Sequence, residues 1–280
     1  MDFKFFRLSG KISFRIVGIA YNPNVETALM YAQKIQAIFS EKKIKSEILT
    51  TKELSNKFSS LIVIGGDGSI LKAARFCTQY GIPFFGFNVG RLGFLAQANA
   101  MEIESVVIKL LNNEFKVDRR MLLTAKNLLA LNEMVIKGAN IARTSDFLVE
   151  IDGKKVCEYR ADGLIIATPT GSTAYNLSAN GPILYPNLDN IIITPICPHT
   201  LNARPLVIPA NQKISVSALD KDEKLSITAD GQESTIIEST EKVCIEKYSK
   251  QARLLLLDKE DSGFYSVLRE KLNWGVVPKS

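Results

Sequence analysis

Three short stretches of the 280-residue chain hold residues whose types and spacing suit chemistry. The first is Gly65-Gly66-Asp67-Gly68-Ser69, which follows the apolar run Leu61–Ile64. Glycines there let the backbone come close to a phosphate. A helix opening just after them offers N–H groups and the positive end of its dipole. The carboxylate inside the loop is the unusual part. It repels a phosphate unless Asp67 binds Mg²⁺, pairs with Lys72 or Arg75, or accepts a proton from a hydroxyl nucleophile. With no ligand in view, the same loop is a tight strand-to-helix turn with Asp67 as its N-cap. It is neither a Walker A sequence, since no GK[ST] follows, nor GxGxxG.

The second stretch runs from Ala161-Asp162-Gly163 through the apolar Leu164–Ala167 into Thr168-Pro169-Thr170-Gly171-Ser172-Thr173-Ala174-Tyr175. Small and hydroxyl-bearing side chains permit close ligand approach, and Tyr175 is placed to stack on a base. Gly171-Ser172-Thr173 is not a nucleophile elbow, because GxSxG is absent. A Ser-His-Asp triad would have to recruit His199, the single histidine, and His199 reads instead as a packed or hydrogen-bonded structural residue. The third stretch is Asn132-Glu133, an adjacent amide and carboxylate of the kind that holds a ribose diol. By itself that dipeptide reads as a solvated turn, and Asp230-Gly231-Gln232 reads as a hairpin turn. Arg119, Arg120, Arg143 and Arg160 are cations that suit phosphates or carboxylates, as any surface arginine does.

The scarce residues exclude most. With one histidine and four scattered cysteines (Cys77, Cys157, Cys197 and Cys244), zinc fingers and histidine-rich catalytic zinc sites are ruled out. A metal here is expected to be a hard ion on oxygens, Mg²⁺ with substrate phosphates, and no protein residue is assigned to hold it. The cysteines read as reduced core residues. Lys+Arg minus Asp+Glu is 35 − 29 = +6, which suits an anionic ligand such as a nucleotide or polyphosphate. No basic stripe is interleaved with aromatics, so no nucleic-acid partner is expected. The opening residues lack a signal-peptide core and no apolar run reaches 18 residues, so a cytoplasmic protein without a membrane partner is expected.

The elements that position these stretches change character along the chain. Up to about residue 115 strands and helices alternate: strands at Phe14–Tyr21, Lys45–Leu49, Leu61–Ile64 and Ile82–Phe87. Asn24 is expected to cap the first helix, with Ala32, Ile35 and Phe39 on its apolar stripe. A second helix spans Ile70–Tyr80 and ends at Gly81. Asn99 and Glu102 have capping-box spacing ahead of a third. From about Lys116 onward short alternating runs and turns predict an all-β region. Its clearest hairpin is Phe147–Ile151, Asp152-Gly153, Lys154–Tyr159. Ser262–Lys271 reads as a small closing helix.

Together these blocks resemble the NAD kinase family, which phosphorylates the adenosine 2′-hydroxyl of NAD to make NADP. The resemblance spans roughly Ile16 to Leu256. Besides the three stretches it takes in Asn88-Val89-Gly90-Arg91-Leu92-Gly93-Phe94-Leu95, His199-Thr200-Leu201-Asn202-Ala203-Arg204-Pro205 and Asp230-Gly231-Gln232. The glycine-rich loop alone is shared with phosphofructokinases and with diacylglycerol and sphingosine kinases. The Thr-Pro-Thr-Gly-Ser-Thr-Ala-Tyr stretch is the more specific.

The resemblance implies an α/β, Rossmann-like N-terminal domain (1–118, completed by 258–280) and a β-rich NAD-binding domain (119–257), with the active site between them. It implies that Asp67 is the catalytic proton acceptor and that Gly65, Gly66, Gly68 and Ser69 form the phosphate loop. The NAD site it implies takes in Asp67, Gly68, Lys72, Asn132, Glu133, Arg143, Arg160, Asp162, Thr170, Thr173, Ala174, Tyr175, Asn176, Leu177, Ser178 and Gln232. NAD and ATP, or polyphosphate, are the implied substrates, Mg²⁺ the implied ion, and a homo-oligomer (dimer or tetramer) the implied state. A lipid kinase would need an apolar acyl pocket or a membrane-facing segment, and the sequence has neither. A non-catalytic NAD sensor would not need Asp67.

Overall fold

The structure is a computed structural model that describes residues 12, 14–90, 93–96, 98–139, 144–257 and 263–274. In chain order the first part comprises β1 (Ile16–Tyr21), α1 (Ala28–Glu41), β2 (Lys45–Thr50), β3 (Ser60–Ile64), α2 (Asp67–Tyr80), β4 (Phe84–Asn88), β5 (Ala98–Asn99) and α3 (Ile103–Leu111). Then come β6 (Phe115–Arg120), β7 (Leu123–Ala125), β8 (Leu128–Ala130), β9 (Glu133–Gly138), β10 (Ser145–Ile151), β11 (Lys154–Ala161), β12 (Gly163–Ala167) and the short α4 (Tyr175–Ser178). The rest is β13 (Asn190–Ile196), β14 (Leu206–Pro209), β15 (Ile214–Ala218), β16 (Leu225–Ala229), β17 (Glu233–Ile237), β18 (Val243–Lys247), β19 (Ala252–Leu257) and α5 (Phe264–Leu272).

The chain divides into two compact units. One holds residues 1–70, 82–117 and 255–280; the other holds 71–81 and 118–254. The first is α/β. Its seven-stranded sheet runs β2-β1-β3-β4-β19-β6, with β5 on β4, and β1 through β4 pair in parallel. Parallel strands covered on both faces read as unbroken apolar runs, and Ser60–Ile64 and Phe84–Asn88 are buried at every position. The α1 stripe Ala28, Ala32, Ile35, Phe39 and the α3 residues Ile103, Val106, Val107, Leu110 join Ile19, Ile62 and Phe85 in one core.

The second unit is β-rich. It has two six-stranded sheets, β11-β10-β15-β18-β7-β8 and β14-β13-β12-β9-β16-β17. Inward residues of both, Phe147 and Val216 from one and Ile136 and Ile227 from the other, share a single core. Strand β10 alternates buried and half-buried residues throughout, as a strand with one covered face must. Strand β12 is buried at every position instead. Leu164 and Ile166 join the inter-sheet core, while Ile165 and Ala167 face a second cluster with Val135, Ile192 and Ile196.

Several sequence expectations need correction. Asn24 does not cap α1: the helix begins at Ala28 after Thr27, and the Asn22 side chain takes the Asn24 N–H instead. Helix α2 opens three residues early, so Asp67 itself lies in its first turn. The cysteines are free, but only Cys77 is a core residue; Cys157 is half-buried and Cys197 and Cys244 are exposed. His199 is exposed, and its backbone N–H donates to the Arg160 carbonyl. Other local expectations hold: Gly81 ends α2 at φ +68°, Asn99 and Glu102 form a capping box, and Asp152-Gly153 turns its hairpin with both φ positive. The closing helix is Phe264–Leu272.

Candidate functional site

In the first unit, β3 delivers the glycine-rich loop directly to the N-terminus of α2. A Cβ on Gly65 would lie 2.7 Å from the Ser69 hydroxyl, which itself accepts the Asn22 side-chain amide at 3.0 Å. Gly66 and Gly68 are exposed, so backbone faces outward at the start of the helix. The Asp67 carboxylate accepts the Phe94 N–H at 2.9 Å and the Leu95 N–H at 3.4 Å. It therefore does not serve as a helix cap. Gly93 makes this approach possible, because any Cβ there would collide with the Asp67 carboxylate.

In the second unit the centre is Asp230, which occupies a left-handed conformation (φ 49°) at the β16–β17 turn. Its two oxygens accept the N–H groups of Leu131, Asn132 and Glu133 at 3.0, 2.8 and 3.3 Å. Arg75 of α2 closes the arrangement. It donates to Asp230 at 3.0 Å, to the Gln232 side-chain oxygen at 3.0 Å and to Glu233 at 2.8 Å. Arg75 is thus committed to this cluster, and its proposed pairing with Asp67 is corrected. Burial pushes the Asp230 carboxyl up; the Leu131 and Asn132 N–H groups and Arg75 oppose that.

Glu133 is not in a solvated turn, as the bare dipeptide suggested. It is buried, and its Oε2 atom has no hydrogen-bond partner among the described residues. Burial, with the Asp230 charge added, raises its carboxyl to about 8, against a smaller pull from the Tyr175 N–H. Asn132 beside it is half-buried. The backbone of Asn132 packs so tightly on Gly171 that no side chain fits there. Thr168 completes the seam: its N–H donates to the Asn132 carbonyl at 2.8 Å and its hydroxyl to the Leu131 carbonyl at 2.5 Å.

The remaining predicted residues of this unit divide into exposed and structural groups. Thr173, Ala174 and Leu177 are half-buried, Asp162, Ser178 and Gln232 are exposed, and Tyr175 is 38% exposed with Lys137 Nζ 6.0 Å above its ring. Thr170 accepts from the buried Arg120, whose Nε holds Asp118 at 2.5 Å. Asn176 is fully buried. Its amide donates to the Ser172 and Pro182 carbonyls and its oxygen accepts the Thr194 hydroxyl, so it shapes the loop from within. Arg160 is exposed and bonded twice to Asp146, at 2.8 and 2.7 Å. Lys72 is exposed on α2. Arg143 lies outside the described residues, as do Arg91 and Leu92 of the upstream motif. Sequence reasoning missed the reach of Asp230, whose partners lie about a hundred residues away.

No cluster of three or more His, Cys, Asp or Glu able to hold a metal occurs among the described residues. Asp67 is a hard-oxygen donor in the glycine-rich loop, which fits Mg²⁺ carried mainly on nucleotide phosphates.

Comparison with known proteins finds matches to both parts of the chain. Residues 32–115 match the ATP-NAD kinase N-terminal domain and residues 131–257 the ATP-NAD kinase C-terminal domain. An NAD kinase of Geobacter sulfurreducens is 40% identical over 223 residues, 76% of this chain and 78% of that one. One from Pseudomonas putida is 40% identical over 237 residues, 81% and 79% of the two chains. Among solved structures, an Archaeoglobus fulgidus NAD kinase in complex with ATP superposes with TM-score 0.75 at 27% identity, covering 92% of this chain and 97% of that one. Yeast NADH kinase complexed with NADH shares the fold, with TM-score 0.79 at 22% identity over 95% and 89%. Matches to both domains of the family and to relatives at 40% identity over most of its length place this chain in the NAD kinase family.

Proposed function

We propose that the chain transfers the terminal phosphoryl group of ATP to the adenosine 2′-hydroxyl of NAD, forming NADP and ADP. The observation that carries this reading is Glu133: a buried carboxyl with one oxygen that has no partner among the described residues, on a backbone already fixed by Asp230. A buried acceptor without a partner is costly unless a ligand supplies the donor, and a ribose diol supplies two.

In this mechanism Asn132 and Glu133 hold the ribose hydroxyls, and Tyr175 stacks on a ring of the dinucleotide. The backbone at Gly66, Gly68 and Ser69 receives phosphate oxygens at the start of α2. Asp67 accepts the 2′-hydroxyl proton as the oxygen forms its bond to the γ-phosphorus and the bond to the β-phosphate oxygen breaks. The Phe94 and Leu95 N–H groups fix the direction of that carboxylate. Mg²⁺ bound with the nucleotide would neutralise charge on the phosphates. Positioning and electrostatics supply most of the rate, because the ribose hydroxyl is a weak nucleophile. Lys72 near the phosphates, Arg160, Asp162 and Arg143 along the dinucleotide, a homo-oligomeric state and a cytoplasmic location complete the reading. No helix among the described residues is long and apolar enough to cross a membrane.

The test is to incubate the purified protein with NAD, ATP and Mg²⁺ and assay NADP. NADP formation that stops with EDTA is the expected result. NAD binding without turnover makes the chain a sensor, and phosphorylation of a lipid alcohol in place of NAD makes it a lipid kinase; either overturns the proposal. Replacing ATP by polyphosphate in the same assay fixes the donor range.

A further inference from the structure

The second unit contains a half-open cavity of about 420 Å³ that the mechanism above does not use. It is walled by the last turn of α2, at Thr78 and Gly81, by Arg119 of β6, and by the connection from β18 into β19. Four cations line it, Arg119, Lys247, Lys250 and Arg253, and no carboxylate among the described residues does.

Part of this charge has an ordinary explanation. The carbonyl end of a helix attracts cations. Lys250 donates to the Gln79 carbonyl at 2.5 Å and Arg253 Nη1 to the Gly81 carbonyl at 3.1 Å. Lys247 is paired with Asp189. Two features are left over. The Arg253 Nε is buried with no hydrogen-bond partner among the described residues, although guanidinium N–H groups are strong donors. Arg119 lies close enough to Arg253 for its charge, together with burial, to push the Arg253 guanidinium down. Arg119 and Arg253 thus bring two like charges to one cavity, an arrangement that a bound anion would stabilise.

We propose that this cavity is a binding site for a small phosphate ester, with the phosphate held between the Arg119 and Arg253 guanidinium groups and the Lys250 ammonium. Guanidinium groups match phosphate geometry with paired N–H donors. The volume exceeds what one phosphate fills and falls in the range of small-molecule sites, leaving room for a sugar-sized body beside Tyr248 and Thr78. This site is independent of the NAD reading: it shares none of the residues assigned to dinucleotide or phosphoryl transfer.

The test is calorimetric titration of the full chain with ribose 5-phosphate, and separately with inorganic phosphate, at low ionic strength. Arg119→Gln and Lys250→Gln alter exposed side chains and leave the core intact. The expected result is saturable binding of ribose 5-phosphate to the wild-type protein, weakened at least tenfold in each variant, with NADP formation unchanged. Weakened binding of inorganic phosphate in the same variants identifies the phosphate as the group recognised. Absence of binding, or binding that both variants leave untouched, overturns the proposal.

Discussion

Arg75 and Asp230 form a buried ion pair at 3.0 Å, with side-chain exposures of 6% and 0%, across 155 residues of sequence. Through it, the helix that begins at Asp67 braces the turn that fixes the Asn132-Glu133 backbone. Removing one partner of a buried pair strands the other charge, at a cost of about 3–5 kcal/mol. Arg75→Met is therefore expected to lower the unfolding free energy by that order, read as a lower denaturant midpoint, and to raise KM for NAD. A variant as stable as the wild type would show that Asp230 does not need its cation.

Glu133 gives a pH dependence. Its folded-state carboxyl is raised to about 8 from an ordinary 4.5. A raised acid stabilises the fold relative to the unfolded chain below pH 4.5, and that contribution is lost as pH climbs towards about 8. Glu133→Gln does not titrate, so its stability relative to wild type should rise across that window in denaturant titrations. A difference that stays flat from pH 5 to 8 would contradict the burial argument.

The same carboxyl should couple NAD binding to protons. Hydrogen bonds from a ribose diol favour the charged form, so binding below pH 8 should release a proton and affinity should increase with pH. Calorimetry in buffers of different ionisation enthalpy measures this. Glu133→Gln should abolish the release and weaken NAD by about ten- to a hundredfold, the worth of a charge-assisted hydrogen bond at roughly 1.5–3 kcal/mol. Unaltered affinity would remove Glu133 from the dinucleotide site.

What was legible in the sequence was mostly local. The unbroken apolar run into Gly65-Gly66-Asp67-Gly68, the Asn99–Glu102 capping box and the Asp152-Gly153 hairpin depend on neighbours within a few residues, and each is where its spacing put it. Asn24 failed because a capping residue competes with turn chemistry: the Asn22 side chain binds the Asn24 N–H and delays the helix. Glu133 looked solvated because its burial comes from β12 and β16, paired on either side of β9. Asp230 looked like a plain turn residue because its partners are 97 to 155 positions away. The place of Gly93 was equally hidden, since only the fold brings it against Asp67.

Gly93→Ala tests that contact. Its Cβ would collide with the Asp67 carboxylate, so the carboxylate must move or lose its N–H partners. Turnover should fall by at least tenfold while the β-rich unit still binds NAD. Wild-type turnover would mean that the orientation of Asp67 is not critical.

The cysteines separate by burial. Cys77 lies in the core, where burial pushes its thiol up, whereas Cys197 and Cys244 are exposed. A thiol reagent followed by mass spectrometry should label Cys197 and Cys244 in the native protein, and Cys77 only after unfolding. Replacing all four with serine should cost about 1–3 kcal/mol at Cys77, if the new hydroxyl lacks a partner, and leave NADP formation intact. A folded quadruple variant without activity would reveal a catalytic thiol.

The central claim is that Asp67 takes the proton of the attacking hydroxyl, and Asp67→Asn tests it most directly. Asparagine keeps the size and one acceptor for the Phe94 N–H but cannot accept the proton. Turnover, NAD affinity and Mg²⁺ dependence should be measured on this one variant. The account predicts a fall in turnover of about 10²–10⁴-fold, with NAD affinity and folding retained and no rescue by added Mg²⁺. Turnover near that of the wild type, or a rate restored by raising Mg²⁺, would contradict it.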